Sequence, residues 1–275
     1  MTNNNMPAAL TDEFLAREAE RTLLDYSWTW EGEREHVDDL DGALLRWLEV
    51  PWFGLDGMVV HLYCDAARVE QQLDALIAQV GDRQCWWIVG ASAQPPDVAE
   101  RLVARGFVKE VEWAGLALRD LSVAIPSNPD LVIEPLSRAN AEEYAAYCAA
   151  TDTSDDPRVP AERLAAAYRF VEANAPDAGI YLGRIDGTIA ACVVSHIEPT
   201  GVVYLRNAET RPEFRQRGIY LSLVAHRLAV ARSLGCTAAV VQAQTQSSAP
   251  ILLKRGFQRV ATIWGLARPS AEAPA

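Results

Sequence analysis

Val202-Val203-Tyr204-Leu205-Arg206-Asn207-Ala208-Glu209-Thr210-Arg211-Pro212-Glu213-Phe214-Arg215-Gln216-Arg217-Gly218-Ile219-Tyr220 is the stretch from which the rest of the chain is read. It predicts an apolar strand, a turn broken by Pro212, a short basic loop closed by one glycine, and a helix from about Leu221 to Leu234. The first N–H groups of a helix have no partner inside it, so with the helix dipole they hold an anion. Arg215 and Arg217 add positive charge, and Gly218 lets the backbone approach a phosphate closely. Physically this is a pyrophosphate cradle. Taken alone, the stretch reads equally well as an ordinary strand, turn and helix with surface arginines.

Working outward, the 275 residues suffice for two domains, each with its own core. Half the residues are hydrophobic and 23% are charged, the balance of a soluble globular protein. No apolar run approaches the roughly 18 residues of a membrane span, and Met1 to Ala9 lacks a signal-like pattern, so a cytoplasmic protein is expected. The five cysteines are scattered and lack metal-ligand spacing, so they read as reduced core residues and no metal is expected. Met1 to Ile125 carries 10 Arg and Lys against 22 Asp and Glu, whereas Pro126 to Ala275 carries 15 of each. Neither half offers the basic face that a nucleic-acid partner needs. An anionic ligand is expected on the neutral half.

Along the first half, Thr11 caps a helix with Phe14, Ala16, Ala19, Leu23 and Leu24 on one stripe. Glu31 to Asp41 reads as a solvated acidic surface. Met58 to Cys64 is a strand candidate, with His61 inside it as a structural residue. A helix over Ala66 to Val80, a buried strand over Cys85 to Gly90, a helix through Ala104 ended by Gly106, and a strand over Val108 to Leu118 follow.

The second half repeats this ending. Arg105-Gly106-Phe107, then Trp113 and Gly115-Leu116-Ala117, has its counterpart in Arg255-Gly256-Phe257, then Trp264 and Gly265-Leu266-Ala267. So long a period implies two related units rather than a solenoid. The expected division is a unit over 1–125, a Pro-rich linker over 126–130, a unit over 131–268 and a disordered tail over 269–275. Within the second unit, Leu131 to Leu136 is a strand, Asn140 caps a helix over Ala141 to Ala150, Thr151 to Pro160 is an acidic turn region, and Ala161 to Ala173 is a helix. Ile180 to Ile185 and Thr188 to Ile197 form a hairpin across Asp186-Gly187.

With that order in view, residues 131 to about 268 resemble the GNAT superfamily of acyl-CoA-dependent N-acyltransferases. Pro212 to Tyr220 is similar to its pyrophosphate motif, and Ser247 to Phe257 to its second motif, which ends in Lys-x-Gly-Phe. The first half resembles a degenerate copy, as in tandem GNAT proteins; its counterpart of the loop, Cys64 to Arg68, has no glycine and carries Asp65. The fold implied is α+β: two GNAT-like domains, each a mixed, largely antiparallel sheet flanked by helices.

The resemblance implies acetyl-CoA as acyl donor and no metal. Arg215, Gln216, Arg217, Gly218, Ile219 and Tyr220 would bind the pyrophosphate. Asn207, Ala208, Glu209 and Thr210 would pair with the pantetheine arm, from which the strand Ala238 to Ala243 would splay away. A backbone N–H near Ala208 would face the carbonyl oxygen. Ser247 and Ser248 would bind cofactor or cap the following helix.

Two residues depart from the family pattern. Tyr220 replaces Gly or Ala but keeps its N–H. Leu252 replaces the tyrosine that protonates the leaving thiolate, and leucine donates no proton. Two bases remain open: Glu209, on the face shared with Val203 and Leu205, and His196, whose ordinary pKa suits the task. The implied reaction is acetyl transfer to a small-molecule or peptide amine by direct attack, with the acidic first half lining the acceptor site. The alternative is a CoA-binding pseudoenzyme with an interaction or sensing role. An oligomer is compatible with the sequence, but nothing in it calls for one.

Overall fold

The structure, a computed structural model, describes residues 10–24, 35–52, 55–151, 167 and 178–269. The expected turn region after Thr151, the helix over Ala161 to Ala173 and nearly all of the tail lie outside the described residues. The strands are β1 (Glu35–Leu40), β2 (Ala43–Trp52), β3 (Leu55–Val60), β4 (Cys85–Val89), β5 (Val108–Leu118), β6 (Val132–Pro135), β7 (Ala178–Ile185), β8 (Thr188–Ile197), β9 (Val202–Thr210), β10 (Ala238–Gln244) and β11 (Gln258–Ala267). The described helices are α1 (Asp12–Leu24), α2 (Val69–Val80), α3 (Val98–Ala104), α4 (Ala141–Thr151), α5 (Ile219–Ser233) and α6 (Ser248–Leu253).

All eleven strands form one sheet in the order β1-β2-β3-β4-β11-β5-β10-β9-β8-β7-β6. Two neighbouring pairs are parallel, β3 with β4 and β9 with β10, and each is joined through a crossover helix, α2 or α5. The two halves therefore have the same plan, and α+β with a mixed, largely antiparallel sheet describes both. Their last strands are exchanged. β5, from the first half, pairs with β10, whereas β11, from the second, pairs with β4, and β5 and β11 pair with each other.

The internal repeat holds down to single hydrogen bonds. At the end of α3, Gly106 takes φ 86° and Phe107 N–H donates to Leu102 O at 3.2 Å; after α6, Gly256 takes φ 90° and Phe257 N–H donates to Leu252 O at 3.3 Å. Both are left-handed glycine endings of the same hydrogen-bonded form. Each Phe then plugs a core of its own, Phe107 beside Trp87 and Phe257 beside Leu252 and Val241.

Helix α1 begins as expected, with Phe14 N–H donating to Thr11 Oγ1 at 3.1 Å. It lies across the central strands of both halves. Leu15 and Ala19 pack on Ala117, Tyr204 and Val240, and Ala16 and Leu24 pack on Ile88 and Ile263. Arg21 on this helix pairs with Glu198 of the second half, which also meets His196 Nδ1 at 3.2 Å. Burial alone would raise the Glu198 pKa, but the His196 hydrogen bond and the Arg21 charge outweigh it and hold it below the usual carboxylate value.

Several local expectations are corrected. The acidic stretch from Glu35 on is an edge strand that turns at Asp41-Gly42 into β2, with Leu40 opposite Ala43. Strand β3 ends at Val60, and His61 leaves it in a left-handed conformation with φ 53°. Helix α2 starts at Val69 rather than Ala66, because the Asp65 carboxylate takes the Ala67 N–H at 2.8 Å and holds a turn there. Asn140 does not cap α4 directly; its side chain accepts from Ser137 N–H at 2.8 Å and donates to Pro135 O at 3.0 Å, closing a preceding 3-10 turn.

Candidate functional site

The expected hairpin forms, with Asp186 at φ 49° and Gly187 at φ 78°, and it delivers β8 to β9. Along β9, Val202, Val203 and Tyr204 pair with Ala238, Ala239 and Val240, and the parallel ladder ends there although both strands continue. On its other side, β9 shifts register against β8 between Val194 opposite Arg206 and Cys192 opposite Glu209, with Asn207 at φ 39°. An extra residue inserted in this way bends a strand. The bend opens β9 from β10 and leaves the edge beyond Tyr204 facing a gap.

A buried arginine supports the bend. Arg227, on α5, donates to Val194 O at 2.9 Å and to Arg206 O at 3.2 Å, the carbonyls flanking the bulge. Among the described residues no carboxylate pairs with it, and burial lowers its pKa to about 10. The sequence reading assigned it no role, since a polar residue inside a helical pattern looks like a surface position.

Beyond β9 the loop reverses sharply. Gln216 takes φ 62° and Gly218 φ 73°, and Gly218 is the N-terminal cap of the 15-residue α5. Left-handed residues at alternate positions turn successive N–H groups to one side, and the helix N-terminus adds its own. Asn128 secures this loop: its side chain donates to Arg217 O at 2.8 Å, and its N–H donates to Ser222 Oγ at 2.7 Å.

The gap and the loop open into one cleft of about 1220 Å³. Asn207, Ala208, Glu209, Thr210, Arg215, Gln216, Gly218, Ile219, Tyr220, Ser247 and Ser248 all line it, and of the expected binding residues only Arg217 does not. The Arg217 side chain lies over the Phe214 ring instead, 5.7 Å from its centroid. Ser247 and Ser248 do not cap α6. Ser248 Oγ accepts from Gln244 N–H at 3.0 Å and Ser247 Oγ donates to Gln244 Oε1 at 2.9 Å, tying α6 to the end of β10.

The two candidate bases part company. Glu209 lines the cleft, and Tyr147 O–H donates to its backbone carbonyl at 3.3 Å. His196 is outside the lining, held against Glu198 beneath α1. Leu252 is wholly buried among Ala249, Phe257 and Val241 and does not reach the cleft.

The described lining of the cleft is basic. Arg46, Arg206, Arg215, Arg227, Lys254 and Arg255 line it, against a single carboxylate, Glu209. Among the described residues, the first half contributes Arg46, Trp47, Leu55, Gly57, Met58, Trp86 and Trp113 and no acidic side chain. Several described acids of that half pair with arginines away from the cleft. Glu70 and Asp74 hold Arg105, and Asp41 meets Arg68 at 2.9 Å.

Such a sheet, with a bulged strand splayed from its parallel neighbour above a left-handed loop and helix N-terminus, has the GNAT fold. Residues 143–257 match the model of the family described as "Acetyltransferase (GNAT) family", so the resemblance read from the motifs is borne out and acyl transfer in general is supported. A GCN5-related N-acetyltransferase from Kribbella flavida superposes with a TM-score of 0.63 at 18% identity, covering 95% of this chain and 96% of that one. One from Sphaerobacter thermophilus gives 0.58 at 14% identity, covering 94% and 91%. A tandem GNAT protein from the clavulanic acid biosynthesis pathway, solved without AcCoA, gives 0.57 at 16% identity and covers 98% of each chain. No curated protein matches the sequence.

Among the described residues, no helix is long and apolar enough to cross a membrane, and no group of three or more His, Cys, Asp or Glu could hold a metal ion.

Proposed function

We propose that the protein is an N-acetyltransferase that moves the acetyl group of acetyl-CoA onto an amine. The reading rests on one observation above the others: the stretch of β9 beyond its ladder with β10 runs directly into the left-handed loop that caps α5. A pantetheine arm needs an open strand edge with amide partners, and a pyrophosphate needs converging N–H groups; here the two are continuous. The basic lining suits a donor that carries several phosphate charges. In this reading 131–268 is the acyl-CoA unit, 126–130 the linker and 1–125 a degenerate unit that shapes the acceptor side.

The amine nitrogen attacks the thioester carbonyl, the C–N bond forms, and the C–S bond breaks. Ala208 N–H faces the oxygen as it gains charge. Glu209 takes the ammonium proton, and the departing thiolate is protonated by water in the open cleft, since Leu252 is sealed in the core. Acetyl-CoA alone should raise the melting temperature. With an accepted amine, Glu209→Gln should lower kcat by about 10²-fold or more and abolish the acidic limb of the pH profile, while His196→Asn retains activity. The reverse result would move the base to His196. Binding of acetyl-CoA with no CoA released across a broad amine panel would favour a pseudoenzyme.

A further inference from the structure

The first-half wall of the cleft is not a generic apolar surface. Arg46 on β2 lies opposite Met58 on β3, Met58 lies beside Trp86 on β4, and Trp113 on β5 lies opposite Gln244 on β10. The Trp86 and Trp113 rings meet edge to face, with centroids 5.5 Å apart and planes at 74°. They meet above Gly265 of β11, where an added Cβ would stand 3.3 Å from two Trp113 ring atoms and 3.6 Å from Trp86. A methyl there would press on the Trp113 ring, which would have to give by a few tenths of an ångström, so the glycine lets the two indoles sit together. Trp86 is oriented by its Nε1–H, which donates to Glu110 Oε2 at 2.9 Å. Trp47, also in the lining, is fixed by Nε1–H to Asp38 Oδ2 at 2.9 Å and by stacking on His36 at 4.2 Å.

Trp86 and Trp47 turn their N–H groups toward carboxylates, and with Trp113 these half-buried indoles line the cleft. Such a wall gains most from a flat apolar body, which buries area and finds offset or edge-on ring geometry. A hydrated polyol or a polyamine would lose water there and find no carboxylate among the described lining residues other than Glu209. The exchange of β5 brings the wall against the end of β10, where the splay opens, so a body on the indoles keeps its amine near Glu209.

We propose that Trp86 and Trp113, brought together over Gly265, select an acceptor with an aromatic body and a primary amine on a short arm. This rests on the N-acetyltransferase reading above and names its substrate class.

The test measures CoA release with acetyl-CoA and tryptamine or phenethylamine against hexylamine, spermidine and glucosamine. The arylalkylamines should exceed the others at least tenfold in kcat/KM. Trp86→Phe, Trp113→Ala and Gly265→Ala should each erase most of that margin by raising KM for the amine, while the melting shift with acetyl-CoA stays as in the parent. Should one variant fail to fold, the other two carry the comparison. Equal or greater kcat/KM for the aliphatic or polar amines, or an aromatic margin that survives all three substitutions, overturns the inference and leaves N-acetylation standing. Absence of both acetyl-CoA stabilisation and CoA release overturns the broader reading and this one with it.

Discussion

Gly218 and Gly187 make a matched pair of substitution sites. Both hold left-handed backbone, φ 73° and 78°, and neither is crowded: a Cβ at Gly218 would meet only Asn128 Cβ at 3.9 Å, and one at Gly187 meets nothing within 4 Å. Alanine at either position should therefore cost the same conformational energy, about 1–2 kcal/mol, with no clash added. For a chain of this size each kcal/mol lowers the melting temperature by about 2–4 °C. The two variants should thus melt alike without ligand.

They should separate when acetyl-CoA is added. Gly218 lines the cleft at the mouth of α5, whereas Gly187 tips a hairpin outside the lining. If the methyl holds a phosphate off the loop and weakens binding tenfold, saturating ligand stabilises Gly218→Ala by about 1.4 kcal/mol less than Gly187→Ala. The difference amounts to roughly 3–6 °C in the ligand-induced shift. Differential scanning fluorimetry across an acetyl-CoA titration reads it directly. Equal ligand-induced shifts for the two variants would refute the assignment of this loop as the pyrophosphate site.

Other expectations follow from burial and charge. Leu252→Ala should cost about 2–5 kcal/mol by denaturant unfolding, as for any fully buried leucine, yet leave kcat of the folded enzyme unchanged. The depressed Glu198 pKa gives stability that is present above the ordinary value of 4.5 and lost as pH falls through the folded-state value. Glu198→Gln should therefore melt lower at neutral pH and lose part of its acid dependence; melts from pH 7 to pH 3 check this. The five free cysteines are buried, and burial pushes Cys85 up to about 12, so iodoacetamide at pH 8 should label none before denaturant is added. Rapid labelling of any one in the native protein would contradict this packing.

What the sequence revealed was what local chemistry decides. The Asp186-Gly187 hairpin, the basic loop into α5 and the paired Gly-Phe endings are each set by a few adjacent residues. Asp41-Gly42 carries the same hairpin signal, but its flanking strand is an acidic edge, where charge is common and the apolar pattern thin. The exchange of β5 and β11 left no local mark. Trp113-Ala114-Gly115-Leu116-Ala117 and Trp264-Gly265-Leu266-Ala267 are so alike that either suits the place beside β4 or β10. Arg227 and Asn128 were passed over for a related reason: what they bind, a bulge and a loop, comes from distant parts of the chain. The charge of a half is not the charge of one of its faces, and among the described lining residues the first half brings no acid to the cleft. Glu70 and Asp74 hold Arg105 at the end of α3, while Glu110 and Asp38 bond the cleft's Trp86 and Trp47.

The crossed strands also govern how such a molecule is built and inherited. Each half ends in a strand that fills a slot in the other, so a second half cut free of the first would have to fold its own last strand back into the vacant place. It would then form a sheet, but β10 would lie against Trp264-Gly265-Leu266 instead of Trp113-Ala114-Gly115, and the wall of indoles would be gone. Ligation of the two genes into one reading frame is thus a condition of the cleft's composition. Each half remains bound to the other by the strand it has lent.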